Sequence, residues 1–390
     1  MRHRAPHKRA LRATQHQHPA LRSRSGWSWL ALLATVVVVA CATSNPGPAD
    51  DAGHTDSATE ASLHDSGDSC SETEVESTQT GQASTKDREF SELHGRLEHV
   101  SGDPIPDKII RGTHYWVSNE LSQGLFHPFI AGTGGLFMGV GTDQCYLLAG
   151  WQRAESLVLI DFDRYVVALH RAYRAFFLAS ATPEDFVGWW RVEKTDEALA
   201  LLTASIEDAA LRTLTLEAFT RSAKMVRLRL SRLQKQYGAG ELGSFVTDPE
   251  QFALIKQLYR SNRVALVRAN LVGPTAVQGL GSVLQEFQVS PRVVYLSNAE
   301  QYFKYSAAFK QNIAALGLTP ETRILRTLSH RRHGFADGEQ YHYNVQTGDS
   351  LMGYLEAGKL TSSSRMLTEK QSTGTLGLSI LGDISMEPLK

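Results

Sequence analysis

Residues 136–163 constrain the fold more than any other stretch. Leu136-Phe137-Met138-Gly139-Val140-Gly141 is an apolar, strand-like run that closes on a Gly-x-Gly turn. Thr142-Asp143-Gln144 follows and opens a helix, with Thr142 or Asp143 as its cap, running on through Tyr146-Leu147-Leu148-Ala149. A second strand, Ser156-Leu157-Val158-Leu159-Ile160, ends on Asp161-Phe162-Asp163, which places Asp161 22 residues after Gly139. Strand, glycine turn, helix, strand and acid in this order describe a βαβ unit of the kind that holds a nucleoside. Its glycines let backbone N–H groups approach a ligand, and its carboxylate accepts from ribose hydroxyls. Gly139, Gly141, Asp143 and Asp161 are therefore candidate binding residues. Gln144 stands where a third glycine would complete a dinucleotide fingerprint. That argues against a nicotinamide pyrophosphate and for a smaller nucleoside such as S-adenosylmethionine. A plain α/β turn without a ligand is the competing reading.

The rest of the chain extends this unit. Val166, Leu169, Tyr173, Phe176 and Phe177 share one face at helical spacing. A long helical region is expected over about 185–260, with Thr195, Asp196 and Glu197 as a start and Gly238 as a stop. Within it Arg221, Lys224, Arg227, Arg229, Arg232 and Lys235 form a basic run between apolar residues. It reads as a solvated face over a buried stripe, or as a contact for an anionic partner or lipid headgroups. Strands return at Val264–Asn270, Arg292–Asn298 and Ile324–Leu328, with a helix from Thr275 to Phe287. Tyr341-His342-Tyr343-Asn344-Val345-Gln346 reads as an edge strand paired across a loop from Gly334 to Gly338. The expected fold class is α/β: a doubly wound, mostly parallel sheet with a helical insert and a terminal antiparallel hairpin. That hairpin points to the class I methyltransferase type rather than to a nicotinamide-binding domain.

The N-terminal quarter has a different character. Residues 1–27 carry seven Lys/Arg and no carboxylate, and residues 29–40 are apolar. Twelve residues make about 18 Å of helix against the roughly 30 Å of a bilayer core, so 1–40 reads as a signal peptide. It ends in Val38-Val39-Ala40-Cys41, which resembles a bacterial lipobox. The resemblance implies cleavage before Cys41, lipidation of Cys41 and a place in the cell envelope, with Ala42 favouring the outer membrane. An ordinary signal peptide, a short uncleaved anchor, and a start downstream of Met1 that leaves the protein cytoplasmic are the alternatives. Residues 41–88 form an acidic, Ser/Thr-rich stretch with almost no large apolar side chain, expected to be a disordered tether. Cys70 within it is a free linker thiol or a bridge to another chain. The folded domain is expected over 89–390. The chain's net charge of −1 argues against nucleic-acid binding, and three cysteines exclude a disulfide-built scaffold and a four-cysteine zinc site.

Several stretches together resemble a family of known shape. They are Tyr115-Trp116-Val117-Ser118-Asn119-Glu120, Gly139 to Gln144, Leu159 to Arg164, His170 to Phe177, Val294-Tyr295-Leu296-Ser297-Asn298-Ala299-Glu300-Gln301-Tyr302, and Tyr343-Asn344-Val345-Gln346. They are similar to an uncharacterised bacterial family with a class I methyltransferase-like core, over about 105–355. The resemblance implies a fold and a pocket without naming a substrate. It implies that Gly139 and Gly141 line the methionine end of the cofactor and that Asp161 holds the ribose. Asn270 stands where such enzymes often keep an acid beside the adenine, and Phe137 and Met138 stand where an acid often precedes the first glycine. On the acceptor side it implies Asn298, Glu300 and Tyr302 as groups that position and deprotonate a methyl acceptor, with Glu120 as a second base.

Two further groupings read as structural. His330, His333, Asp337 and His342 match no regular metal spacing, Arg331 and Arg332 intervene, and no metal is expected. Cys145 reads as a buried cysteine. The functional expectation is S-adenosylmethionine-dependent methyl transfer to an unknown small molecule by a lipid-anchored protein. The alternative is a non-catalytic, surface-tethered binding or scaffold domain that keeps the pocket. Location separates them, because adenosylmethionine is held in the cytosol and an exported lipoprotein would lack it. A protein partner is not specified by the sequence.

Overall fold

The computed structural model describes residues 85–358 and 361–384. The expected signal peptide, Cys41 and residues 42–84 of the expected tether lie outside the described residues; the last four tether residues, 85–88, are helical rather than disordered, because α1 begins at Thr85. The chain enters on α1 (Thr85–Glu98) and a short turn of helix, α2 (His127–Ile130). The expected βαβ unit follows as β1 (Leu136–Val140), α3 (Asp143–Gln152) and β2 (Ser156–Asp161). Next come α4 (Arg164–Ala179), α5 (Pro183–Gly188), α6 (Thr195–Ser205), α7 (Ala209–Tyr237) and α8 (Pro249–Arg260). The second half runs β3 (Val264–Arg268), α9 (Ala276–Glu286), β4 (Pro291–Ser297), α10 (Ala307–Ala315) and β5 (Arg323–Leu328). It closes with β6 (His342–Thr347), α11 (Gly348–Ala357), α12 (Ser363–Met366), β7 (Gln371–Ser372) and β8 (Leu378–Leu381).

The strands form one sheet in the order β3-β2-β1-β4-β5-β6-β8-β7. The first five are mutually parallel, and β6 runs antiparallel to β5. The chain winds outward from β1 to β3, then returns through α9 to pair β4 on the other side of β1. That reversal creates a crevice outside the carboxyl ends of β1 and β4, the usual ligand position in open α/β sheets. Successive strand residues face opposite ways. Phe137, Leu157, Leu159, Val293, Tyr295 and Leu325 pack into one core with α3, α4, α7 and α8. Leu136, Met138, Val158, Ile160, Val294 and Ile324 pack into the other with α1, α9 and α10. Burial on both faces explains why these strands are continuous apolar runs rather than alternating ones.

Two expectations change. The 341–346 stretch is not an edge: all six residues of β6 are buried, because β8 pairs along its far side and β7 beyond that. The helical region between β2 and β3 is several helices. α6 begins at Thr195 as expected but stops at Ser205, and α7 restarts where Asp208 accepts from the Leu211 N–H at 2.7 Å.

Candidate functional site

At the carboxyl ends of β1 to β4 a cavity of about 230 Å³ opens, lined by Val140, Phe162, Asn270, Leu271, Tyr302 and Phe303 among others. Its walls are apolar apart from Asn270, Tyr302 and Lys108. Asn270 is held in place: its backbone N–H donates to Asp103 at 2.8 Å and its side-chain oxygen accepts from Val272 N–H at 3.1 Å. Asp161 ends β2 directly before Phe162. Its carboxylate is buried and accepts from the Asp163 N–H at 2.8 Å, and burial raises its pKa to about 7. Asp163 in turn caps α4 through Tyr165 N–H and meets His114 at 2.5 Å.

The glycine turn is already engaged with the protein. Gly141 has φ +103, which a side chain rarely adopts, and a Cβ there would lie 2.1 Å from the Gln144 amide. Its N–H donates to Ile160 O, and the Thr142 N–H donates to Gln144 Oε1 at 3.2 Å. Gly141 O accepts from His170 at 2.7 Å, and burial lowers the His170 pKa to about 4, so the ring is neutral. With Nε2–H committed to Gly141 O, Nδ1 is the acceptor for the Tyr146 hydroxyl at 2.6 Å, which leaves Tyr146 to accept from Tyr259. Gly139 lies within β1, where a Cβ would strike Phe137 and Cys145. Asp143 is fully buried and faces away from solvent: it pairs with Arg229 at 2.6 Å and accepts from the Ser118 N–H. Cys145 is buried too, and burial pushes its thiol well above the ordinary range.

On the β4–β5 side, Glu120 reaches in from the segment before α2. Three hydroxyls donate to its carboxylate: Tyr295, Ser297 at 2.8 Å and Thr327 at 2.7 Å. Burial raises its pKa despite them and despite Arg229 nearby. Ser297 ends β4 with φ 49, at a register shift against β5. A non-glycine residue held in that conformation marks stored strain at the crevice. Asn298 follows it and donates to the Tyr341 hydroxyl at 3.2 Å, where Asn119 also donates at 2.8 Å. Glu120 and Asn298 are thus brought together through β4. Tyr302 borders the cavity, and burial raises its pKa to about 12 with Tyr115 as a hydrogen-bond partner. Glu300 points elsewhere. It pairs with Arg326 at 2.5 Å and accepts from Tyr305 at 2.6 Å, all three being buried.

Sequence reasoning missed Arg229, Tyr341 and Arg326. Arg229 belongs to a run that looks solvated, yet it falls on the buried side of α7. Arg326 also bonds Asn344 and Gln346 of β6, and its only sequence signal was a lone arginine inside an apolar strand. Tyr341 carried no signal that single-sequence reading could use. In the histidine loop, burial lowers the His342 pKa; its Nδ1–H donates to Gly334 O at 2.9 Å and its Nε2 accepts from the Ser379 hydroxyl at 2.7 Å. Among the described residues no group of His, Cys, Asp or Glu is placed to hold a metal ion, and no helix is long and apolar enough to cross a membrane.

The chain is thus an α/β domain with a doubly wound sheet and a crevice at its switch point. Residues 115–382 match the family described as domain of unknown function DUF7790, and the chain belongs to it. No curated protein matches the chain.

Proposed function

We propose that the domain binds an adenosine-type ligand at its switch point, and that S-adenosylmethionine is the form that would make it a methyltransferase acting on a small molecule. The carrying observation is the cavity where Val140, Phe162, Asn270 and Tyr302 converge at the ends of four strands. A volume of about 230 Å³ lies below the roughly 300 Å³ at which whole-ligand sites begin, so it suits a purine base rather than an entire cofactor. Phe162 offers a face for stacking, and the Asn270 amide offers a polar edge. Asp161 would accept from ribose hydroxyls once ionised. Adenosylmethionine, when bound, would supply an electrophilic methyl group. Phe162 and Asn270 in the cavity support its base, and Asp161, which precedes Phe162 without lining the cavity, is the acid nearest in the chain for its ribose. At the other half the Gly141 and Thr142 N–H groups are already donated within the protein, so they offer no free cradle. Asn298 and Tyr302 are the groups available to orient an acceptor, while Glu300 is held by Arg326.

The same engagement of Gly141, Asp143 and Glu300 favours a second reading, a pocket that binds without catalysis. Calorimetric titration of the full chain with adenosine, adenosylmethionine and its demethylated product separates the two. Similar affinity for all three, with no methyl transferred to any acceptor supplied, supports simple binding. Clear preference for adenosylmethionine and its product supports the enzyme. Asp161→Ala should weaken binding by about 1.5–3 kcal/mol, the scale of hydrogen bonds to a charged group. No heat with any of the three sinks both readings.

A further inference from the structure

The outer face of α7 has no role in the site described above. At 100° per residue, Arg221, Lys224, Met225, Leu228, Arg232 and Lys235 fall within an arc of roughly 100° along about 21 Å of helix. All six are exposed. The buried residues Ser222, Val226, Arg229, Leu230, Leu233 and Tyr237 occupy the other side. Leu228, 56% exposed, lies near the middle of this arc and Met225, 40% exposed, at its edge, so two neighbouring large apolar side chains face outward. Arg221 is committed to Glu217 at 3.1 Å and lies over Tyr165. Lys224, Arg227, Arg232 and Lys235 form no ion pair among the described residues. Glu217 is the one carboxylate of α7 and precedes the stripe.

We propose that this stripe docks on an anionic membrane surface, with Met225 and Leu228 entering the headgroup boundary and the exposed, unpaired cations Lys224, Arg232 and Lys235 meeting lipid phosphates. Anionic lipid headgroups attract clustered cations, and apolar side chains standing beside them on the outward face add buried area to the contact. A polyanion such as nucleic acid accounts for the cations but leaves the Met225 and Leu228 side chains exposed to no purpose. A solvated face would carry interspersed acids, and the segment from 221 to 236 has none. Lys and Arg stems also lie flat on an apolar boundary while their heads stay in water. The proposal is independent of the nucleoside reading and of any anchor in residues 1–84, since it rests on α7 alone.

The test is a local one on the full chain. Amine acetylation at Lys224 and Lys235 is followed by mass spectrometry, with phosphatidylglycerol vesicles, phosphatidylcholine vesicles or no vesicles. Lys194, exposed and paired with Glu197, is the internal control. The expected result is several-fold slower labelling of Lys224 and Lys235 with the anionic vesicles, none with the neutral ones, reversal by high salt, and no change at Lys194. Met225→Gln/Leu228→Gln, which adds no charge, should melt like the parent, because both positions are exposed, and should weaken the protection about tenfold by removing the apolar half of the contact. Unchanged labelling with anionic vesicles overturns the proposal. So does equal slowing at Lys194. Protection by a single-stranded oligonucleotide that survives the double substitution assigns the stripe to a polyanion instead.

Discussion

Asp161 joins the site to the stability of the fold. Its folded pKa of about 7 lies above the ordinary 3.8, so the folded state holds a proton that the unfolded chain has released. The stability this gives is complete below pH 3.8 and is lost as pH rises through 7. Asp161→Asn should therefore unfold with a flatter alkaline limb, gaining up to about 4 kcal/mol relative to the parent at pH 8, at about 1.4 kcal/mol per unit. Chemical denaturation across pH 5–8 checks this; parallel curves for the two proteins would count against it. The same proton predicts that nucleoside affinity increases as pH rises past 7, because the ionised carboxylate is the better acceptor. Buried His94 has the opposite sign. Both its ring nitrogens lack partners, and burial lowers its pKa to about 4 from 6.5. It weakens the fold as pH falls from 6.5 toward 4. His94→Leu should raise stability at pH 5 by about 1–3 kcal/mol, the scale of relieving an unsatisfied buried polar group. A lower melting temperature for the variant would contradict that account. None of these shifts was legible in the sequence, because each comes from desolvation by elements distant in the chain.

At the scale of elements, the βαβ unit from β1 to β2 was the most legible part. Its strands are apolar throughout because both faces are covered, and its glycine turn is local. The tail was less legible. β8 has four residues and β7 two, too short for a periodic signal, so β6 looked like an edge. Its six buried residues depend on β8 for cover. A chain ending at 370 should lose cooperative unfolding or aggregate through the exposed β6 edge; retention of a sharp transition would show that β8 is dispensable. The buried pairs were illegible for another reason. Arg229 and Asp143 stand 86 residues apart in the chain, and nothing in either neighbourhood announces the partner. Arg229→Met leaves the Asp143 carboxylate buried and unpaired, and should destabilise by about 3–5 kcal/mol. Asp143→Asn/Arg229→Met should recover much of that loss. A double variant as weak as the single one would show that Arg229 acts through packing alone.

For the whole molecule, the doubly wound order and the crevice at the reversal between β1 and β4 were accessible from element order. What the glycine turn does was not. In sequence Gly139 and Gly141 look like a cradle; in the structure Gly139 fits the core between Phe137 and Cys145, and Gly141 accommodates Gln144. The cavity moves the likeness to a nucleotide site toward Phe162, Asn270 and Tyr302. The polar cluster around Asn298 and Glu120 was half legible: the Ser-Asn pair after β4 stood out, whereas Tyr341 and Asn119 did not.

The most direct test of the proposed nucleoside site is to cross-link the full chain with 8-azidoadenosine under light and map the modified peptides. Labelling should saturate, be displaced by unmodified adenosine, and fall on peptides holding Phe162, Asn270 to Val272 or Tyr302. Labelling confined to the helices between β2 and β3, or none displaceable by adenosine, would contradict it.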